Sequence, residues 1–129
     1  IGLGAALPDL ARTLAERTGI ALDCRIAPPL SALAAEPAET VYRMSEELLR
    51  NIERHAGAQR LRISLEQEDD GKARLEIADD GIGFAPEPGP AGHYGLVGLR
   101  EQAEAIGAEL TIDSQRGSGT CAVLRWNQA

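Results

Sequence analysis

The stretch Val41-Tyr42-Arg43-Met44-Ser45-Glu46-Glu47-Leu48-Leu49-Arg50-Asn51-Ile52-Glu53-Arg54-His55 decides how the rest of the chain is read. It contains neither Pro nor Gly and is rich in Leu, Met, Glu and Arg, which favour helix. Pro37 stands upstream, where a helix can begin, and Gly57 lies just past the end. At about 100° per residue, Val41, Met44, Leu48 and Ile52 fall on one stripe, the predicted buried face. Arg43, Glu46, Arg50 and Glu53 fall opposite, and Glu46 to Arg50 is a favourable i, i+4 pair. Glu47, Asn51 and His55 break this division. Four residues apart, they drift only about 40° per step and form a polar row along the edge of the apolar stripe, Asn51 and His55 close to its centre line. Polar groups at core-facing positions need partners. A carboxylate, an amide and an imidazole aimed into one cavity can bind a hydrated metal ion and a phosphate. Each residue alone reads as a flank residue satisfied by neighbours; the set, taken with the glycine motifs below, reads as a site.

The 129 residues read as one domain, 1–129, long enough for a single substantial core. Aromatics are only 3%, so that core is aliphatic. The net charge of −7 argues against nonspecific nucleic-acid binding. It leaves room for a small anionic ligand, because backbone N–H groups hold phosphate without net positive charge. Cys24 and Cys121 match no metal-binding spacing and read as small buried hydrophobes. No run approaches the length of a membrane span, and no signal peptide is visible. The first residue is Ile1 rather than Met, which reads as a fragment of something longer.

Around the central helix the pattern is simple. Leu7, Leu10, Ala11 and Leu14 predict a helix over 7–18, ended by Gly19. Residues 20–26, 61–66 and 73–78 alternate as strands, the last two joined by a turn at Asp69-Asp70-Gly71-Lys72 as antiparallel neighbours. Residues 85–94 hold three Pro and two Gly and read as a mobile loop. A helix from Gly95 to about Ile106 buries Leu96, Leu99, Ala103 and Ile106, and strands at 109–113 and 120–126 flank a turn. Helix, strand, long helix, hairpin, loop, helix, hairpin closes as an α+β, two-layer sandwich: a mixed, mostly antiparallel sheet with helices on one face.

Three glycine motifs punctuate this order. Asp79-x-Gly81-x-Gly83 follows a strand, where glycine lets a ligand approach the backbone and the Asp can accept a hydrogen bond from an exocyclic amine such as that of adenine. Gly95-x-x-Gly98 opens a helix, whose free N–H groups and dipole favour phosphate. Gly117-x-Gly119-Thr120 precedes the last strand. Each alone reads equally as a plain turn or helix entry. Neither the Gly-Lys-Ser/Thr phosphate loop nor the dinucleotide fingerprint fits. The loop between two glycine clusters reads best as a lid over a nucleotide.

Together these motifs resemble the GHKL ATPases, the family of gyrase B, Hsp90, MutL and the histidine kinases. Glu47-x-x-x-Asn51-x-x-x-His55 is similar to the N box, Asp79-x-Gly81-x-Gly83 to the G1 box, Gly95-Leu96-x-Gly98-Leu99-Arg100-Glu101 to the G2 segment, and Gly119-Thr120 to the final glycine motif. Within the family, the run from Arg43 to Asn51, His55-Ala56-x-Ala58, Gly2-Leu3 with Ala6-Leu7 and the short lid resemble sensor kinases that pair with NarL/LuxR-type response regulators. Those kinases often have Gln where Glu46 stands.

The resemblance implies the Bergerat fold, ATP and Mg²⁺ as ligands, and transfer of the γ-phosphoryl to a histidine on a separate dimerisation domain. It implies that Glu47 polarises water or the attacking group near the γ-phosphate, Asn51 ligates Mg²⁺, His55 contacts phosphate, and Arg54 and Arg100 supply charge. Asp79 would read adenine with Thr120, Gly81 and Gly83 shaping the pocket, while Gly95, Leu96 and Gly98 wrap the phosphates and Gly119 counts among the ATP-binding residues. Neither His55 nor His93 lies on a dimerisation helix, so the acceptor histidine is expected outside this chain. A monomeric isolated domain, a homodimeric bacterial parent that is membrane-anchored or soluble, and a cytoplasmic place for this domain follow from the same resemblance. The alternative is a nucleotide-binding regulatory module of the same fold that transfers nothing.

Overall fold

The computed structural model describes residues 3–26, 35–82, 96–115 and 117–127, with the side chains of residues 3–5, 35–37, 55–56 and 96–97 outside that description. The elements run α1 (Leu3–Thr18), β1 (Ala21–Ile26), α2 (Ala35–Asn51), a π turn (Ile52–Ala56), β2 (Arg60–Gln67), β3 (Ala73–Asp79), α3 (Leu96–Ala105), β4 (Glu109–Gln115) and β5 (Gly119–Trp126). The five strands form one sheet in the order β1-β2-β3-β5-β4. Only β1 with β2 is parallel; the other pairs are antiparallel. The mixed sheet is therefore as the alternation predicts.

Alternation decides which face is covered. Leu61, Ile63 and Leu65 of β2, Leu75 and Ile77 of β3 and Leu124 of β5 are buried and share a cluster with Leu7 and Leu14 of α1, Val41, Met44 and Leu49 of α2, and Leu99 and Ala103 of α3. Trp126, the chain's one tryptophan, closes that cluster, and its Nε1 has no hydrogen-bond partner among the described residues. The opposite face carries charge. Glu76 accepts from Arg62 at 2.7 and 3.0 Å and from Arg74 at 3.0 Å, and Arg74 also reaches Glu66 at 3.6 Å. Burial pushes the Glu76 carboxyl up, but the two guanidiniums outweigh it and hold it below its ordinary value. Cross-strand pairs of opposite charge suit a face left to water.

Three details differ from expectation. α1 begins at Leu3, with Pro8 inside it: proline removes the N–H that the Gly4 carbonyl would accept and crowds that carbonyl, yet the helix runs through it. Within α2, Leu49 is 3% exposed while Leu48 is only partly buried. One position is about 100° of helix, so the buried arc is rotated away from the polar row. Its cause is packing: α2 meets α1 and α3 and shares the core cluster with the sheet, and Ser45, wholly buried, donates from Oγ to the Val41 carbonyl at 2.8 Å. Third, Arg50 pairs with Glu47 at 2.7 Å rather than with Glu46, because i, i+3 neighbours are as close on a helix as i, i+4.

Candidate functional site: one end of the sheet

The strand registers bring five chain segments to one end of the sheet. Asp79, the last residue of β3, stands opposite Leu61 of β2 and Thr120 of β5, and Thr120 stands opposite Ser114 of β4. Directly opposed residues share a face, so Asp79, Thr120 and Ser114 all lie on the side that the helices cover. At this same end α2 finishes, the π turn follows, and Gly57 (φ 57°) reverses the chain into β2.

Asp79 is half-buried. Its Oδ1 accepts the Gly81 N–H at 2.8 Å. Burial raises its pKa and the neighbouring Asp80 adds to the rise, against the lowering effect of the Gly81 and Thr120 backbone N–H groups. Thr120 Oγ1 and Ser114 Oγ lie 2.8 Å apart in a hydrogen bond, and Ser114 also donates to the Gly119 carbonyl at 3.3 Å. Gly119 (φ 81°) is pressed against the backbone of Asp79 and Asp80: a Cβ there would collide with the Asp79 carbonyl and stand 3.0 Å from the Asp80 Cα. Only glycine permits both the left-handed backbone and the approach. The Gly117 N–H donates to the Ile82 carbonyl at 2.6 Å, tying the two glycine turns together. The result is a half-buried carboxylate flanked by Gly81, Gly119 and Thr120, a group that can accept the amino edge of a purine.

On the helix side, Glu47, Leu48 and Asn51 are each half-buried. Glu47 Oε2 accepts from Arg50 at 2.7 Å. The α-helical four-residue step holds from Glu47 to Asn51 and then fails, because Ile52–Ala56 is a π turn. Its i→i+5 bonding shifts the phase of every following residue, and such turns are frequent at functional sites. Arg54 is exposed. The side chain of His55 lies outside the described residues. Glu53 is held by Arg17 of α1 through bonds of 2.7 and 2.8 Å, a pairing that raises the Arg17 pKa and lowers that of Glu53.

Of the remaining expected residues, Gly81 is buried beside Asp79, and Gly98 is exposed in the first turn of α3 with open space around it. Leu96 begins α3. Arg100 is exposed, and its guanidinium donates to the Leu110 carbonyl at 3.3 Å. Gly83, Gly95, His93 and the lid at 85–94 lie outside the described residues. Among the described residues no cluster of three His, Cys, Asp or Glu side chains could hold a metal by itself. Cys24 and Cys121 are half-buried free thiols, their pKa values raised by burial. No helix among the described residues is long and apolar enough to cross a membrane.

Two residues at this end escape the sequence reading. Asp80 Oδ1 accepts the backbone N–H groups of Gln59 and Arg60, each at 2.9 Å, which pulls its pKa down. A second Asp before a glycine is the signal that was available, since Asp readily accepts backbone N–H bonds at turns. Ser114 had no signal, because its partner Thr120 is defined only by the β4–β5 register.

Residues 36–129 match the family described as histidine kinase-, DNA gyrase B-, and HSP90-like ATPase. The chain belongs to that ATP-binding family. More narrowly, its relatives are sensor histidine kinases. It is 34% identical over 129 residues to the nitrate/nitrite sensor protein NarQ of Escherichia coli (98% of this chain, 22% of NarQ). It is 37% identical over 129 residues to the sensor histidine kinase MctS of Rhizobium johnstonii (96% of this chain, 28% of MctS). The chain thus spans about a quarter of these relatives and corresponds to their ATPase catalytic domain. Among solved structures, the blue-light activated histidine kinase EL346 of Erythrobacter litoralis shares the fold with a TM-score of 0.83 at 22% identity, covering 99% of this chain and 42% of that one.

Proposed function

We propose that this end of the sheet holds ATP with Mg²⁺ and that the chain delivers the γ-phosphoryl to a histidine on a separate dimerisation domain of a longer, homodimeric kinase, whose onward partner is a NarL/LuxR-type response regulator. The observation that carries the reading is Asp79: a half-buried carboxylate, one oxygen engaged by Gly81 at 2.8 Å, with Gly119 packed on its backbone and Thr120 beside it.

The roles follow from the chemistry of each group. Asp79 accepts the exocyclic amine of adenine through the oxygen that Gly81 does not engage, and Gly81, Gly119 and Thr120 shape the pocket around the base. Asn51, half-buried at the end of α2, would offer Mg²⁺ an amide oxygen, a donor of the hard kind that this ion takes. When bound, the ion neutralises charge on the phosphates. Glu47, one turn earlier, orients the incoming imidazole; Arg50 already restrains one of its two oxygens. The start of α3, with Leu96 and Gly98, offers phosphate the first-turn N–H groups that have no intrahelical acceptor. Gly83, Gly95, Arg54 and His55 are assigned to the same ligand, Arg54 and His55 toward the phosphates. In the transfer, the bond from the γ-phosphorus to the β–γ bridging oxygen breaks, a bond to an imidazole nitrogen of the acceptor forms, and ADP departs.

Calorimetric titration with ATP and Mg²⁺ tests the site. Wild-type protein binds, and Asp79→Ala weakens binding roughly 10- to 100-fold, the worth of a hydrogen bond to a charged group. Asn51→Ala abolishes the dependence on Mg²⁺. Absence of binding by the wild type, or unchanged affinity in Asp79→Ala, refutes the reading. In the longer parent kinase, Glu47→Gln retains ATP binding but ends labelling from ATP radiolabelled at the γ-phosphate.

A further inference from the structure

The neighbour of Asp79 has no place in the roles above, and its contacts are unusual. Asp80 Oδ1 accepts two consecutive backbone N–H groups, from Gln59 and Arg60, each at 2.9 Å. The Asp80 N–H in turn donates to the Arg60 carbonyl at 3.3 Å. This last bond continues the β2–β3 ladder by one step past Leu61↔Asp79. In such a pair, the Arg60 N–H would ordinarily go to the Asp80 carbonyl. The side chain takes it instead, so the ladder ends at Asp80 and the backbone is released to turn toward Gly81. Gln59 is a junction as well, since its carbonyl accepts the first N–H of β1, that of Ala21, at 2.9 Å. Gln59 lies two residues after Gly57, which ends the π turn that follows Asn51.

We propose that Asp80 is a positioning residue for nucleotide selection. Its carboxylate ties the start of β2, where the chain returns from α2 and the π turn, to the end of β3, and so fixes the Asp79 carboxylate relative to the segment that leads back to Glu47 and Asn51. This rests on the ATP reading above. Two features separate a brace from a merely structural bond. Asp80 is exposed, so water replaces it as acceptor when it is removed, and the loss of fold stability is small. The loss of register falls on the adjacent residue, the one that would read the base. ATP offers Asp79 an amine donor, whereas GTP presents a carbonyl oxygen at the same place, so discrimination between them depends on where the Asp79 carboxylate sits.

The test compares ATP and GTP affinities by calorimetry for wild type, Asp80→Ala, Asp80→Asn and Asp80→Glu, with thermal unfolding of each. Asp80→Ala is expected to lower the ATP:GTP affinity ratio at least tenfold while remaining folded. Asp80→Asn, which keeps an acceptor oxygen at the same reach, restores the ratio to within about threefold of wild type. Asp80→Glu keeps the charge but lengthens the arm, and does not restore it. An equal loss of ATP and GTP affinity, or an unchanged ratio in Asp80→Ala, overturns the brace. Rescue by Glu and not by Asn overturns it too, because charge rather than reach would then matter. Should Asp80→Ala fail to fold, the Asn and Glu pair decides alone. If wild-type protein binds neither nucleotide, the ATP reading itself falls and the inference with it; if wild type prefers ATP and Asp80→Ala keeps the same ratio, only the inference falls.

Discussion

Two adjacent carboxylates, Asp79 and Asp80, respond to acid in opposite directions. Asp79 is raised by burial and by its neighbour's charge, so its ionisation weakens the native state. Its contribution is favourable at low pH and is lost as pH rises through its folded pKa. Asp80 is lowered by the Arg60 and Gln59 N–H groups, so its contribution is present above the ordinary carboxylate value and lost as pH falls through its own lower one. Urea unfolding as a function of pH separates them: Asp79→Asn is expected to be more stable than wild type at neutral pH, with the gap closing as pH falls through the raised Asp79 pKa. A gap that does not change with pH shows that Asp79 does not titrate abnormally. Asp79 was readable in the sequence because a carboxylate before two spaced glycines at a strand end carries its meaning locally. Asp80 could be read as a turn acceptor before a glycine, but its partners could not, because they are two N–H groups 20 and 21 residues away.

At the scale of elements, periodicity located α2, its polar edge and three of its four buried residues, Val41, Met44 and Ile52, but put Leu48 where Leu49 is buried. A single-helix wheel knows the period of 3.6 residues and nothing of neighbouring helices. Contact with α1 and α3 on its flanks turns Leu49 into the core and leaves Leu48 half-covered beside Glu47 and Asn51. Leu49→Ala is therefore expected to cost about 2–5 kcal/mol, the range for a buried leucine, and Leu48→Ala distinctly less, both measured by denaturant titration. The reverse ranking restores the simple wheel. The π turn was equally unreadable. Nothing in Ile52-Glu53-Arg54-His55-Ala56 forbids continued α-helix, and the Arg17–Glu53 bridge, which joins this turn to α1, spans 36 residues of sequence.

For the whole molecule, the strand count and the hairpins could be read from alternation and turn residues, but the order β1-β2-β3-β5-β4 could not. The β3–β5 and β1–β2 pairings join segments that a local pattern never compares. The parallel β1–β2 pairing carries a consequence for the route to the native state. The β2–β3 and β4–β5 pairs close over short turns, whereas Ala21 meets Arg60 only after all of α2 has intervened. Closing longer loops costs more entropy before contacts repay it. The sheet's β1 edge should thus be sealed after the rate-limiting barrier. Stopped-flow fluorescence of Trp126, buried at 1% exposure, can follow this: Ile26→Ala in β1 should chiefly speed unfolding, while Ile77→Val in β3 should also slow refolding. Equal effects on refolding would place that edge inside the nucleus, and the strand that the chain makes first would then be among the first to find its partner.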